Sequence, residues 1–267
     1  METFHLHRGT APLLVSLPHN GSFIPADIAG RMHPLAQVSP DSDWHVDLLY
    51  DFAAGLGASV IKPLASRYVV DLNRPADGHA LYPGRTETGL VPTVMFDGAP
   101  IYLDGEAPGP DETAARVEQY WRPYHVALAA EIARMRDAHE RIVLWEGHSI
   151  RAEVPMLFEG RLPDLNLGTA DGSSCDPSLQ ASLAATLEGQ RRYTHVVNGR
   201  FKGGYITRAY GKPDGGVHAV QLELAQVNYM DEKTFAYDDA KAAQLKEILH
   251  PLLRTCIQFA QAATSAS

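Results

Sequence analysis

Two histidines close apolar runs. His19 ends Leu13-Leu-Val-Ser-Leu-Pro-His19 and is followed by Asn20-Gly21, a turn signal; His148 stands just past Ile142-Val-Leu-Trp145. A lone histidine in a turn is commonly a turn residue and nothing more, but two at parallel positions after separate buried strands reinforce each other. Two neutral imidazoles and one carboxylate form an open metal site that leaves a position for water. The carboxylate is expected from Asp41-Ser-Asp-Trp-His-Val-Asp47. Asp41 or Ser42 can cap the helix that follows, yet a cap does not need three aspartates in seven residues. If the helix includes both, Asp43 and Asp47 share a face one turn apart, so that one can bind metal and the other orient a ligand, with His45 pointing away.

Other polar residues collect at the ends of apolar runs. Glu223 in Gln221-Leu-Glu-Leu224 reads either as a strand-end acid facing water or as a general base whose pKa burial raises and a nearby cation lowers. Asn73-Arg74 and Asn198 follow two more runs. Arg74 and Arg208 read as two-pronged carboxylate binders, Arg67 rather as an ion pair, and His125 either reaches the site or rests on a helix face. No Walker A, G-x-S-x-G or strand-following G-x-G-x-x-G occurs.

The elements that must carry these residues are short β-rich runs at 13–17, 58–62, 68–72, 141–145, 195–198 and 217–224, mostly continuous in apolar character, as strands covered on both faces are. Helical periodicity falls between them at 46–56, 111–139, 178–192 and 239–263, with Gly57 ending the first and Pro123 expected to kink or split the second. This alternation predicts a three-layer α/β/α domain spanning 1–267, in which sites form at the carboxyl ends of strands. Residues 76–110, rich in Gly and Pro, predict a lid or a packed excursion, and 262–267 a frayed tail.

Composition narrows the partners. The 267 residues carry a net charge of -9 and no basic stripe, which argues against nucleic acid and requires local arginines if the substrate is acidic. Cys175 and Cys256 form no CxxC pair, and neither a signal-peptide pattern nor a run of transmembrane length is visible, so a cytoplasmic protein with reduced thiols is expected.

Six stretches occur in an order that resembles the N-formylglutamate amidohydrolase family: Ser16-Leu-Pro-His-Asn-Gly21, Asp41–Asp47, Arg67-Tyr-Val-Val-Asp-Leu-Asn-Arg74, Leu144-Trp-Glu-Gly-His-Ser-Ile-Arg151, the segment from Asn198 to Arg208, and Gln221-Leu-Glu-Leu224. The resemblance runs from about residue 12 to 232. It implies a central mixed, mostly parallel sheet like that of zinc carboxypeptidases and phosphorylase-hydrolases, one divalent metal ion (zinc first), and hydrolysis of N-formyl-L-glutamate to formate and L-glutamate in histidine degradation. It also implies His19 and His148 as metal ligands, Glu223 as base, and Asn73-Arg74 on the substrate carboxylate. Ser22 stands where the carboxypeptidase-like His-x-x-Glu pattern has its glutamate, so the third ligand falls to Asp43, with Asp47 as substitute or in support. Glu146 replaces an expected aspartate. Arg208 and Arg74 would hold the glutamate carboxylates, and Arg74 or His125 the oxyanion. Two other readings are a deacylase or carboxypeptidase for another N-acyl amino acid, and a non-catalytic ligand-binding protein on the same fold.

Overall fold

The computed structural model describes residues 2–80 and 87–262. Seven strands, β1 (Phe4–His7), β2 (Leu13–Ser16), β3 (Ser59–Pro63), β4 (Ile142–Ile150), β5 (Leu165–Gly168), β6 (His195–Val197) and β7 (Val217–Ala225), form one sheet in the order β1-β3-β2-β4-β7-β5-β6. The pairings β3-β2, β2-β4, β4-β7 and β5-β6 are parallel; β1-β3 and β7-β5 are antiparallel. The sheet is thus mixed and mostly parallel, as expected.

Helices α1 (Ala26–Ala29), α2 (Pro34–Gln37), α3 (Val46–Leu49), α4 (Pro110–Arg116), α5 (Arg122–Ala138), α6 (Pro177–Glu188), α7 (Tyr205–Tyr210) and α8 (Asp239–Ala262) complete the chain. The central strands are apolar on both faces because both are covered. Leu13, Val15, Val143, Trp145, Val220 and Leu222 enter one core with Leu179 and Leu183 of α6 and Leu245, Leu249 and Leu253 of α8. Leu14, Ile142, Leu144 and Ala219, one residue out of step, enter a second core with Tyr124, Leu128 and Met135 of α5. No helix among the described residues is long and apolar enough to cross a membrane.

Three expectations change. Residues 68–72 are buried yet form turns, not a strand. Carbonyls of this run, and that of Arg74 just after it, are taken by side chains from the neighbouring helical segment instead of by the sheet: Arg116 Nη1 donates to Val69 O (3.2 Å), His125 Nε2 to Leu72 O (2.9 Å) and Trp121 Nε1 to Arg74 O (2.9 Å). The helix expected at 46–56 is only α3 plus a 3₁₀ turn, Ala54–Leu56, closed by Gly57 in the left-handed region (φ 79°). His45 is also left-handed (φ 62°), which stops α3 from extending back, so Asp43 and Asp47 do not share a helix face. The segment expected to kink or split at Pro123 is divided there, into α4, a π turn, Val117–Trp121, and α5, with Pro123 in the first turn of α5. The described part of 76–110 is packed rather than open, with Leu90, Met95, Ile101 and Tyr102 in the second core. The tail expected to fray lies outside the described residues beyond Ala262.

Candidate active site

β2 ends at Ser16, and the chain turns at once: Asn20 N donates to Leu17 O (3.2 Å), presenting His19 at the sheet's carboxyl edge. A Cβ on Gly21 would lie 2.2 Å from Ala65 O, so this turn can press against the neighbouring backbone only with glycine there. His19 O accepts from Asp43 N (3.0 Å), and Asn20 Oδ1 from Asp47 N (2.9 Å). The Pro-His-Asn-Gly turn and the aspartate loop are therefore bonded to each other by one backbone pair and by the Asn20 side chain. β4 and β7 pair residue for residue along their full lengths, which sets His148 beside Glu223.

His19, Asp43 and His148 converge: one ligand atom from each lies within 4.8 Å of the others, and all three residues are buried. The two imidazoles are held alike. His19 Nε2 donates to Asp71 Oδ1 (2.6 Å) and His148 Nε2 to Glu146 Oε1 (2.7 Å). The other ring nitrogens face one carboxylate oxygen, His148 Nδ1 at 2.8 Å and His19 Nδ1 at 3.8 Å from Asp43 Oδ2. A carboxylate on the far nitrogen fixes a metal-binding tautomer and strengthens the near nitrogen as a donor, so this set fits a divalent cation bound by two Nδ1 atoms and one carboxylate oxygen.

The electrostatics agree. Burial alone would lower the pKa of His148, but Asp43 and Glu146 on either side raise it well above the ordinary histidine value, so the pocket between them calls for positive charge. Burial would raise Asp71, but His19, Arg67 and Arg74 hold it well below the usual carboxylate range. Asp71 bridges His19 and the buried Arg67, whose Nη2 donates to its other oxygen (2.8 Å). Glu223 is pushed up to about 8, chiefly by burial and also by the charges of Asp43 and Glu146, against the opposing pull of His148 and Arg67.

His19, Asp43, His148 and Glu223 line one recess, with Asn73, Arg67, Arg74 and Arg200 also in its lining. Asn73 Nδ2 lies 3.1 Å from His148 Nε2, while its Oδ1 accepts from Ile206 N (2.9 Å) at the start of α7. The guanidinium of Arg74 is braced by Thr88 O and Asn73 O (2.8 and 3.0 Å) and makes no ion pair with a described residue.

Four expected site residues stand outside this lining. His125 stacks on Trp121 with centroids 3.7 Å apart and spends both nitrogens on Leu72 O and Tyr210 Oη; burial pulls its pKa down to about 4, so it is a neutral brace for the 68–74 turn. Arg208 donates from Nε to Gly203 O (2.9 Å). Asn198, left-handed at φ 52°, uses its side chain on Thr169 N and Thr169 Oγ1 (2.9 and 2.8 Å). Asp47 pairs with Lys62 (2.5 Å). Conversely, sequence reasoning passed over Asp71 and Arg200. An acid inside Tyr68-Val-Val-Asp-Leu72 was a usable signal, because a carboxylate in an apolar run needs a partner once buried. Arg200 carried no such mark.

The chain has relatives along most of its length. A model of the N-formylglutamate amidohydrolase family matches residues 11–230. N-formylglutamate deformylase of Pseudomonas aeruginosa is 49% identical over 257 residues, covering 94% of this chain and 96% of that one. The Pseudomonas putida enzyme of the same name is 47% identical over 254 residues, covering 95% of each. The crystal structure of N-formylglutamate amidohydrolase from Ralstonia eutropha aligns with a TM-score of 0.84 at 25% identity, over 98% of this chain and all of that one. With a family match across most of its length and two relatives near half identity, the chain belongs to the N-formylglutamate amidohydrolase family.

Proposed function

We propose that this protein hydrolyses N-formyl-L-glutamate to formate and L-glutamate, the last step of histidine degradation, with a divalent metal, zinc first, held by His19, Asp43 and His148. The observation that carries the metal-dependent reading is the paired arrangement of the two histidines, each with an acid on Nε2 and both with Nδ1 turned to Asp43. A cation bound there supplies Lewis acidity, which polarises a carbonyl oxygen and acidifies water.

The chain's own groups do the rest. Glu223, opposite His148 and raised toward neutral by burial, accepts the proton of the water that attacks the formyl carbon; a metal ion nearby would lower its pKa from the metal-free value. The same carboxyl then delivers that proton to the departing amide nitrogen, so the C–N bond breaks with formate and a free amine as products. Arg67 is the cation we assign to the oxygen that becomes negative: it is buried, it lines the recess, and its Nε has no acceptor among the described residues. Asn73 and Arg74, beside His148, hold the α-carboxylate, which lies next to the scissile bond.

The test is formate and amine release from N-formyl-, N-acetyl- and N-succinyl-L-glutamate with zinc supplied. Turnover of the formyl compound, with a loss of roughly 10²–10⁴ in Glu223→Gln at unchanged zinc content, is the expected result. Activity confined to the larger acyl groups, or an undiminished Glu223→Gln enzyme, would overturn it.

A further inference from the structure

Resting on the reading of Glu223 as the base, we infer that Gln221 is its positioning residue: the side-chain amide of Gln221 holds one carboxylate oxygen of Glu223 and leaves the other to take the proton. Alternate residues of a strand share a face, so Gln221 and Glu223 of β7 line the recess together, and both are buried. Gln221 Nε2 donates to Glu223 Oε2 (3.3 Å), and Gln221 Oε1 accepts from Gly204 N (2.7 Å). The second bond decides the first. A backbone N–H can only donate, so the atom it meets is the amide oxygen, and the NH2 group is thereby turned to the carboxylate. The last torsion of a glutamate is broad and roughly two-fold, so the strand alone leaves the two oxygens interchangeable. A donor on Oε2 makes that oxygen the poorer base, which assigns the proton to Oε1.

The support behind the amide is itself fixed. β5 runs beside β7 with Gly168 opposite Gln221, and a Cβ on Gly168 would lie 2.6 Å from Lys202 C. The backbone of 202–204 therefore presses directly on β5 next to Gln221. In the same loop, a Cβ on Gly204 would lie 2.3 Å from Asn73 Nδ2, so a side chain fits at neither point. The backbone of the base is held too: Asn166 of β5, opposite Glu223, donates from Nδ2 to Glu223 O (3.2 Å).

The experiment measures formate release from N-formyl-L-glutamate by the zinc-supplied full chain, by Gln221→Glu, and by Gln221→Met alone and in the Glu223→Gln background. Gln221→Glu keeps an oxygen for Gly204 N and puts a second carboxylate against the base; Gln221→Met removes both contacts at similar length. Expected in each single variant is a kcat about 10- to 100-fold lower at unchanged KM and zinc content. In the Glu223→Gln background Gln221→Met should cost no more than about twofold, because the group that Gln221 holds is no longer a base. The Gln221 side-chain amide in proton–nitrogen spectra, identified by its loss in Gln221→Met, gives a readout apart from turnover: one of its two protons should move upfield in Glu223→Ala, where the acceptor is gone. A Gln221→Met loss of the same size in both backgrounds, a loss carried by KM, a Gln221→Glu enzyme with the wild-type kcat, or an unmoved amide proton would overturn the role. A Glu223→Gln enzyme as active as wild type would overturn the base and its positioning residue together; it is seen without any change at Gln221, so the two failures are distinct.

Discussion

Asp71 and Glu146 do for the two histidines what neither ring can do alone. A neutral imidazole has two tautomers, and only the one with its proton on Nε2 leaves Nδ1 open toward Asp43. Asp71 at 2.6 Å and Glu146 at 2.7 Å select that tautomer at both positions. Glu146 is in turn anchored by Thr207, whose backbone N donates to Oε2 (2.9 Å), and Asp71 by Arg67. Asp71→Asn should therefore weaken metal affinity by about 10- to 100-fold without removing a ligand. Chelator competition on the purified variant measures this; an affinity equal to wild type would show that Asp71 does not orient His19.

At the scale of elements, the helical run from α4 to α5 positions a segment it does not resemble. Arg116, Trp121 and His125 supply the donors that residues 68–74 would otherwise find in a sheet, and so place Asn73 and Arg74 at the recess and Asp71 against His19. His125 leaves a signature in pH dependence. Its ordinary pKa is 6.5 and burial takes it to about 4 in the folded chain. As pH falls the unfolded chain takes up this proton first, so the stability associated with a neutral His125 is intact above about 6.5 and drains away down to about 4. Between pH 7 and 4.5 this amounts to roughly 2–3 kcal/mol. Denaturant titrations at the two pH values should show a smaller difference in His125→Gln than in wild type. The turn after β2 makes a second prediction. Gly21→Ala puts a methyl 2.2 Å from Ala65 O, a backbone atom that cannot swing aside. A stability loss of about 1–3 kcal/mol is expected, together with weakened zinc binding because His19 rides on the same turn. Unchanged denaturation midpoint and zinc affinity would refute this.

For the whole molecule, the proposed metal site joins three separate stretches of chain, near residues 19, 43 and 148, so a cation bound there would be a cross-link that exists only in the folded state. Zinc at a hundred times its dissociation constant should add about 2.7 kcal/mol to stability, seen as a melting temperature that rises with zinc and returns with chelator. An Asp43→Ala chain should not respond. The net charge of -9 sharpens the role of the recess: three arginines are gathered where an acidic substrate must enter a molecule that repels it at long range.

Much of this was legible in the residues themselves. Continuous apolar runs announced strands covered on both faces, and turn residues after them marked where His19 and the aspartate loop would stand, because these signals are local and depend on side-chain size, polarity and backbone preference. The run 68–72 shows the limit: its apolar character announced burial but not the partner of its backbone, which was a helix reached through Arg116, Trp121 and His125. The choice of Arg200 over Arg208 for the recess, and the withdrawal of His125 and Asp47 from it, were likewise decided only by the tertiary structure. An arginine's charge is written in the sequence, but whether its long side chain meets a cavity or a carbonyl such as Gly203 O depends on which loops pack beside it, and that packing is set by contacts between residues far apart in the chain.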